Sequence, residues 1–90
     1  MTQQDITELT VVSASKDIFE YQRGDIGQPS DYTDKDSWYL RCPGCGNLGI
    51  LTGKIIENDD GTVSSKESLH CHGRNARQRY SIDHNKVRWL

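Results

Sequence analysis

Two closely spaced cysteines, followed at a distance by a third, constrain this 90-residue chain more than any other feature. Cys42 and Cys45 lie in the run Cys-Pro-Gly-Cys-Gly, and Cys71, the last cysteine, stands between two histidines. Pro and Gly favour a tight turn, which brings the first two thiolates to one point. A distant Cys/His cluster can complete a tetrahedral site around them. The spacing therefore predicts a fold organised around one metal ion, with Zn²⁺ as the expected cofactor.

Three histidines are candidates for the fourth ligand. Cys71 is the natural third ligand, although a free cysteine is also commonly a small buried apolar residue. His72 is favoured as the fourth ligand because Gly73 lets the backbone bend after it. His70 would face opposite Cys71 in a regular strand, and His84 falls at a predicted hairpin tip away from the metal.

Composition supports a metal as a stabilising element. Only 33% of the residues are apolar and 27% are charged, so the core must be thin, and small domains of this kind depend on such staples. No leader-type segment and no apolar run of about 20 residues is seen. We therefore expect a cytoplasmic protein with no membrane association, in which reduced thiols favour metal binding over a disulfide.

Two enzymatic alternatives use the same cysteines. A redox dithiol normally begins a helix after a strand, whereas a β-like run follows Cys45 here. A metal hydrolase needs an open ligand position and a general base, and no carboxylate lies close in sequence to the Cys/His cluster. We therefore predict that the protein is not an enzyme.

The first 36 residues predict one strand followed by irregular chain. Residues 9–12 are rich in β-branched side chains and predict a strand. Residues 13–24 fit either a short helix or the end of a hairpin, and glycines and a proline across 24–30 predict a loop. The polar residues 31–36 predict an exposed acidic loop. We therefore divide the chain into an N-terminal strand with an acidic flexible segment (1–36) and a β module (37–90).

The second part of the chain predicts antiparallel strands. Residues 37–41 form a strand with Trp38 and Leu40 on one face. A strand with a bulge over 48–56 and the turn signal Asn-Asp-Asp-Gly at 58–61 predict a long hairpin, whose return arm brings Cys71 level with the first two cysteines. A terminal hairpin follows, with strands at 80–82 and 87–90 around a turn at 83–86. The predicted fold class is mainly β, a small ribbon-like antiparallel sheet.

Charge is distributed unevenly along the chain. Residues 1–40 carry eight acidic and three basic side chains, and residues 41–90 carry eight basic and five acidic ones, for a net charge of −2. The sequence pI of about 5.8 is not that of a general nucleic-acid binder. A local basic patch is nevertheless predicted near the C-terminus, where five basic residues and one acid lie within residues 71–90.

This basic patch contains aromatic residues. Arginine binds phosphate in bidentate fashion and aromatic rings stack on bases, so the cluster is a candidate nucleic-acid surface. The alternative is a solvated loop with core aromatics, and charge runs more often have that structural role. The candidate nucleic-acid residues are Arg74, Arg77, Arg79, Tyr80 and Arg88.

From Ser37 onward the sequence resembles the small zinc-ribbon proteins common in bacteriophage and prophage genomes. The resemblance lies in a strand ending in the cysteine turn, in the later Cys71-His72 pair and in a final hairpin of the type Tyr-x-Ile followed by Asn-Lys-Val-x-Trp-Leu. It implies a zinc ribbon over residues 37–90 and a host cytoplasmic location. It also implies four zinc ligands, which are Cys42, Cys45, Cys71 and His72.

The sequence thus predicts a zinc-stabilised binding module. A host protein, for example part of the nucleic-acid machinery, is favoured as the partner because the acidic first half is unsuited to a phosphate backbone. Direct nucleic-acid binding through the basic patch is the alternative.

Overall fold

The computed structural model describes residues 7–30, 36–44, 46–71 and 79–90. Over these residues the chain is mainly β with small antiparallel sheets, which confirms the predicted fold class. A single turn of 3₁₀ helix, Ile18–Glu20, begins after Asp17, whose carboxylate accepts a hydrogen bond from the Phe19 amide. The strands are β1 (Thr10–Val11), β2 (Asp25–Gly27), β3 (Ser37–Arg41), β4 (Leu48–Thr52), β5 (Ile55–Glu57), β6 (Val63–Ser65), β7 (Leu69–His70), β8 (Arg79–Asp83) and β9 (Lys86–Trp89).

The strands form three small sheets. One has four strands in the order β1-β2-β3-β4, one consists of β5 and β6, and one has the order β7-β8-β9. The β1–β2 pair is parallel and every other pair in these sheets is antiparallel. Side chains from all three sheets meet in one core cluster, in which Ile26 and Val63 have no exposed surface.

β3 has the predicted alternation. Trp38 and Leu40 are buried on one face, and Tyr39 and Arg41 are half-buried on the other. Because successive side chains of a strand point to opposite faces, this pattern gives β3 one core-facing side. Cys42 directly follows the strand, so β3 fixes the start of the cysteine turn.

The predicted long hairpin is wrong except at its tip. Residues 58–61 do form the turn, with the Asn58 amide donating to the Thr62 carbonyl at 2.8 Å, but only β5 and β6 pair across it. β4 pairs instead with β3 along its whole length, and β7 pairs with β8. The expected bulge within 48–56 is a break at Gly53, whose φ of +70° ends β4 and turns the chain into the next sheet.

The loop predicted for 24–30 is also wrong at its centre, because β2 occupies residues 25–27. Asp25 is stabilised in this buried strand by the Lys16 ammonium at 3.1 Å and the Gln22 amide at 2.9 Å. Gly27 allows close packing, since a Cβ there would lie 2.6 Å from Tyr21 Oη. Asp and Gly are rare in strands. Local propensity therefore predicted a loop where tertiary contacts stabilise a strand.

The terminal hairpin is confirmed. Tyr80 pairs with Trp89 and Ile82 with Val87, and Tyr80, Ile82 and Val87 are buried. His84 and Asn85 form its tip with φ of 48° and 69°. Two consecutive positive φ values match the twist that a two-residue hairpin loop needs.

Asn85 also joins three parts of the chain. Its carbonyl accepts from the Leu9 amide at 2.7 Å, and its own amide donates to the Val63 carbonyl at 2.9 Å. Its side-chain Oδ1 accepts from the Val63 amide at 2.8 Å. The hairpin tip is therefore attached both to β6 and to the segment that leads into β1.

The division of the chain at residue 36 stays a prediction. β1 and β2 lie in the same sheet as β3 and β4, and the acidic residues 31–35 lie outside the described residues. In the part of the chain that the structure describes, no helix is long and apolar enough to cross a lipid bilayer.

Candidate metal centre

The thiols of Cys42 and Cys71 come together in the interior. Cys42 follows β3 and Cys71 follows β7, and their sulfurs lie 3.4 Å apart although the residues are 29 positions apart in sequence. This distance is far beyond the roughly 2.05 Å of a disulfide bond. Only 7% of Cys42 and 4% of Cys71 is exposed. The two sheets thus bring two sulfur ligands of the predicted set to one buried point.

Backbone hydrogen bonds hold the cysteine turn. The Gly46 amide donates to the Cys42 carbonyl at 2.9 Å, and the Cys42 amide donates to the Asn47 carbonyl at 2.8 Å. Gly46 has φ of +80°, a conformation that glycine adopts without steric cost. The Arg41 guanidinium donates to the Gly46 carbonyl at 2.9 Å. The end of β3 and the turn are therefore fixed relative to each other.

The turn also packs against the terminal hairpin. A Cβ placed on Gly44 would lie 2.9 Å from Trp89 Cη2 and 3.2 Å from Cys71 Sγ. Trp89 in turn contacts Tyr80, with ring centroids 5.1 Å apart and planes tilted by 50°. Sequence reasoning considered Trp89 either as a core aromatic or as part of the basic, aromatic cluster. It missed the place of Trp89 as one wall of the cysteine site, because no local pattern relates residue 89 to residue 44.

The structure places the histidine alternatives differently. His70 is exposed on β7 and lies opposite Arg79. His84 is exposed at the tip of the terminal hairpin, with Nδ1 2.7 Å from Asp83 Oδ1. The other end of this hairpin, at Trp89, contacts the cysteine turn, and five residues of strand separate the two ends by about 16 Å. His84 thus lies away from the site, as predicted.

The remaining predicted ligands, Cys45 and His72, lie outside the described residues. Among the residues that are described, no group of three or more Cys, His, Asp or Glu side chains is positioned to hold a metal. The structure therefore describes two of the predicted ligands, Cys42 and Cys71, and the turn that carries Cys42.

The candidate nucleic-acid residues do not form one surface with Tyr80. Tyr80 is only 2% exposed and contacts Trp89, so its ring is not available to stack on a base. Arg79 and Arg88 are exposed on the outer face of the terminal hairpin, while Arg74 and Arg77 lie outside the described residues.

Comparison of the chain with protein-family models, with curated proteins and with solved structures found no match. The candidate centre is therefore interpreted from its own geometry and chemistry.

Proposed function

We propose that this chain is a non-enzymatic β module, stabilised by one zinc ion, that binds another protein. The observation that carries the metal proposal is the buried pair of sulfurs, 3.4 Å apart. Two thiolates on one tetrahedral zinc, each at about 2.3 Å, lie about 3.8 Å apart. A movement of a few tenths of an ångström would thus let Cys42 and Cys71 share an ion. Cys45, in the turn, and His72, next to Cys71, would complete the set.

Burial of the sulfurs favours a structural role for the ion. Structural zinc sites are closed by four protein ligands, whereas catalytic sites keep one position open to water. The ion would tie the end of β3 to the end of β7, which belong to different sheets. Metal binding of this kind contributes directly to folding stability.

A protein partner is supported by charge and by the resemblance to phage zinc ribbons. The excess of acid in residues 1–40 would repel a phosphate backbone and attract a basic groove on a host protein, such as a nucleic-acid enzyme. The host cytoplasm, where thiols stay reduced, is the compartment that suits such a module.

Direct nucleic-acid binding is the second candidate, and one observation favours it. Arg79, Lys86 and Arg88 are exposed on the same outer face of β8 and β9, since their neighbours Tyr80 and Val87 face the core. Mobility-shift assays at low and high salt test it with Arg88→Ala against an exposed lysine control, Lys54→Ala. Loss of a salt-sensitive shift on Arg88→Ala alone would support this candidate, and absence of any shift at low salt would exclude it.

Metal content tests the leading proposal. The tag-free protein should carry one zinc per chain by elemental analysis, and Cys42→Ser should lose both the metal and the cooperative unfolding transition. His84→Ala, at the distant hairpin tip, serves as the matched control and should keep the zinc. His72→Ala and His70→Ala, compared side by side, identify the fourth ligand. A protein that folds without stoichiometric metal and is unaffected by a strong chelator would contradict the proposal.

A further inference from the structure

A groove lies between the first and third sheets. β4 forms one edge of the first sheet and β7 forms one edge of the third. In sequence, the short hairpin of β5 and β6 lies between these two strands. The space between them measures about 650 Å³. Its walls include the whole of β4 up to Leu51 on one side and Ser68 to His70 on the other.

The β4 edge presents backbone groups to this groove. The Cys42 amide bonds to the Asn47 carbonyl, so by antiparallel alternation Gly49 and Leu51 direct their backbone groups at β3. Leu48, Ile50 and Thr52 therefore direct their N–H and C=O groups away from β3. Within the described ranges, no strand pairs with this edge.

The opposite wall is a shorter edge strand, β7. The Leu90 amide donates to the Arg79 carbonyl, which places the backbone groups of Arg79 towards β9 and those of Tyr80 towards β7. Leu69 pairs with Tyr80, so the backbone groups of His70 face away from β8. The groove thus lies between the edge strands β4 and β7, and the backbone of an extended chain is the ligand that matches the β4 edge.

The side chains indicate which extended chain would fit. The floor is apolar, formed by Leu40, Leu69 and Tyr80, all at most 3% exposed. Ile50 pairs with Tyr39 and therefore lies on the opposite face of β4 from the floor, where it is 58% exposed. Arg79 and His70 face each other across β8 and β7 on the exposed side. At the other end the Lys54 ammonium lies 3.8 Å from a Glu67 carboxylate oxygen, which largely balances that pair of charges. Among the described residues that line the groove, Arg79 carries the other fixed charge.

We propose that this groove binds an extended segment of a partner protein, which adds as a strand to β4 and carries apolar and acidic side chains in alternation. The apolar side chains would enter the floor, and a carboxylate would meet Arg79. The five residues of β4 span about 17 Å, which corresponds to a segment of five or six residues. This inference rests on the proposed role as a protein-binding module and assigns that role a surface.

The test uses a defined peptide with the full-length protein. A fluorescein-labelled Val-Glu-Val-Glu-Val-Glu peptide should bind, as measured by fluorescence anisotropy, and a Val-Lys repeat should not. Ile50→Glu should weaken binding about tenfold or more, which corresponds to about 1.4 kcal/mol, because Ile50 lies on the face of β4 where the carboxylates of the peptide would lie. Ile56→Glu is the matched control, because Ile56 is also exposed, at 43%, but lies on β5 outside the groove. Arg79→Glu should reverse the preference towards the lysine peptide.

Backbone addition is tested separately by amide hydrogen exchange. Bound peptide should slow exchange at Leu48, Ile50 and Thr52, and leave the amides of β9 unchanged. Equal binding to Ile50→Glu and Ile56→Glu, or no protection along β4, would overturn the proposal. Concentration-dependent dimerisation that Ile50→Glu abolishes would also overturn it, since the occupant would then be a second copy. Zinc content is measured in each variant, so failure of the groove is distinguishable from failure of the metal-stabilised module.

Discussion

Gly44→Ala should damage the cysteine site through overpacking alone. Gly44 has no left-handed φ, so alanine can adopt its backbone conformation. The added Cβ would lie 2.9 Å from Trp89 Cη2 and 3.2 Å from Cys71 Sγ, whereas carbon atoms pack at about 3.5–4.0 Å. Trp89 or the turn must therefore move by roughly half an ångström to one ångström, and overpacking of this kind costs about 1–3 kcal/mol.

The loss should appear as weaker zinc binding. If the turn and Cys71 move apart, a cost of about 1–3 kcal/mol weakens metal affinity by roughly 5- to 150-fold. Competition with a chromophoric chelator measures the affinity, and urea unfolding followed by tryptophan fluorescence measures stability in the same samples. Zinc affinity equal to that of the unsubstituted protein would refute the close packing of the turn against Trp89 and Cys71.

Gly49→Ala is the matched control for this substitution. Gly49 also lacks a left-handed φ, and a Cβ there would find only the Leu40 carbonyl oxygen, at 3.9 Å. Alanine at such a position is neutral or stabilises by up to about 1 kcal/mol, because it restricts the unfolded chain. Equal zinc affinities in the two variants would show that the effect does not depend on packing at residue 44.

Two further perturbations test other parts of the fold. Asn85→Gly keeps the positive φ but removes the side-chain acceptor of the buried Val63 amide, so urea unfolding should show a loss of about 1–3 kcal/mol. Asn85→Ala should lose about 1 kcal/mol more, because alanine is strained at φ of 69°, and equal losses for both would contradict this account. The Thr62 hydroxyl and amide, which donate to the carboxylate, hold the pKa of Asp60 below its ordinary value. The contribution of Asp60 to stability is thus present above the usual aspartate pKa of about 3.9 and is lost as the pH falls through the lower folded value. NMR titration should show a midpoint that rises in Thr62→Val, and an unchanged midpoint would disprove the role of Thr62.

Local patterns predicted the elements whose partners are close in sequence. The alternation in β3 and the terminal hairpin depends on side-chain period and turn chemistry within a few residues, and both are confirmed. The convergence of Cys42 and Cys71 was also predicted, but by the wrong route. β4 and β7 lie in the two arms of the expected hairpin, but β4 pairs with β3 and β7 pairs with β8. The two cysteines nevertheless come together.

The missed features depend on contacts that no local pattern records. β2 contains Asp25 and Gly27, which disfavour strands in isolation but fit where Lys16 and Tyr21 lie. Gly53 was interpreted as a bulge, yet its positive φ separates two sheets. Tyr80 has an arginine beside it in sequence, which suggested a binding surface, whereas strand alternation points its ring into the core. For Cys45 and His72 the sequence remains the sole guide.

The position of Asn85 has a consequence for how the chain reaches its native state. Its bonds to Leu9 and Val63 connect the start, the middle and the end of the chain. Contacts between residues so far apart in sequence close large loops, which slows folding in small domains. During synthesis, the segment preceding β1 cannot dock until residue 85 has left the ribosome. We therefore expect folding to complete only after residue 85 has emerged, on a timescale of milliseconds or longer that is typical of β proteins with distant strand partners.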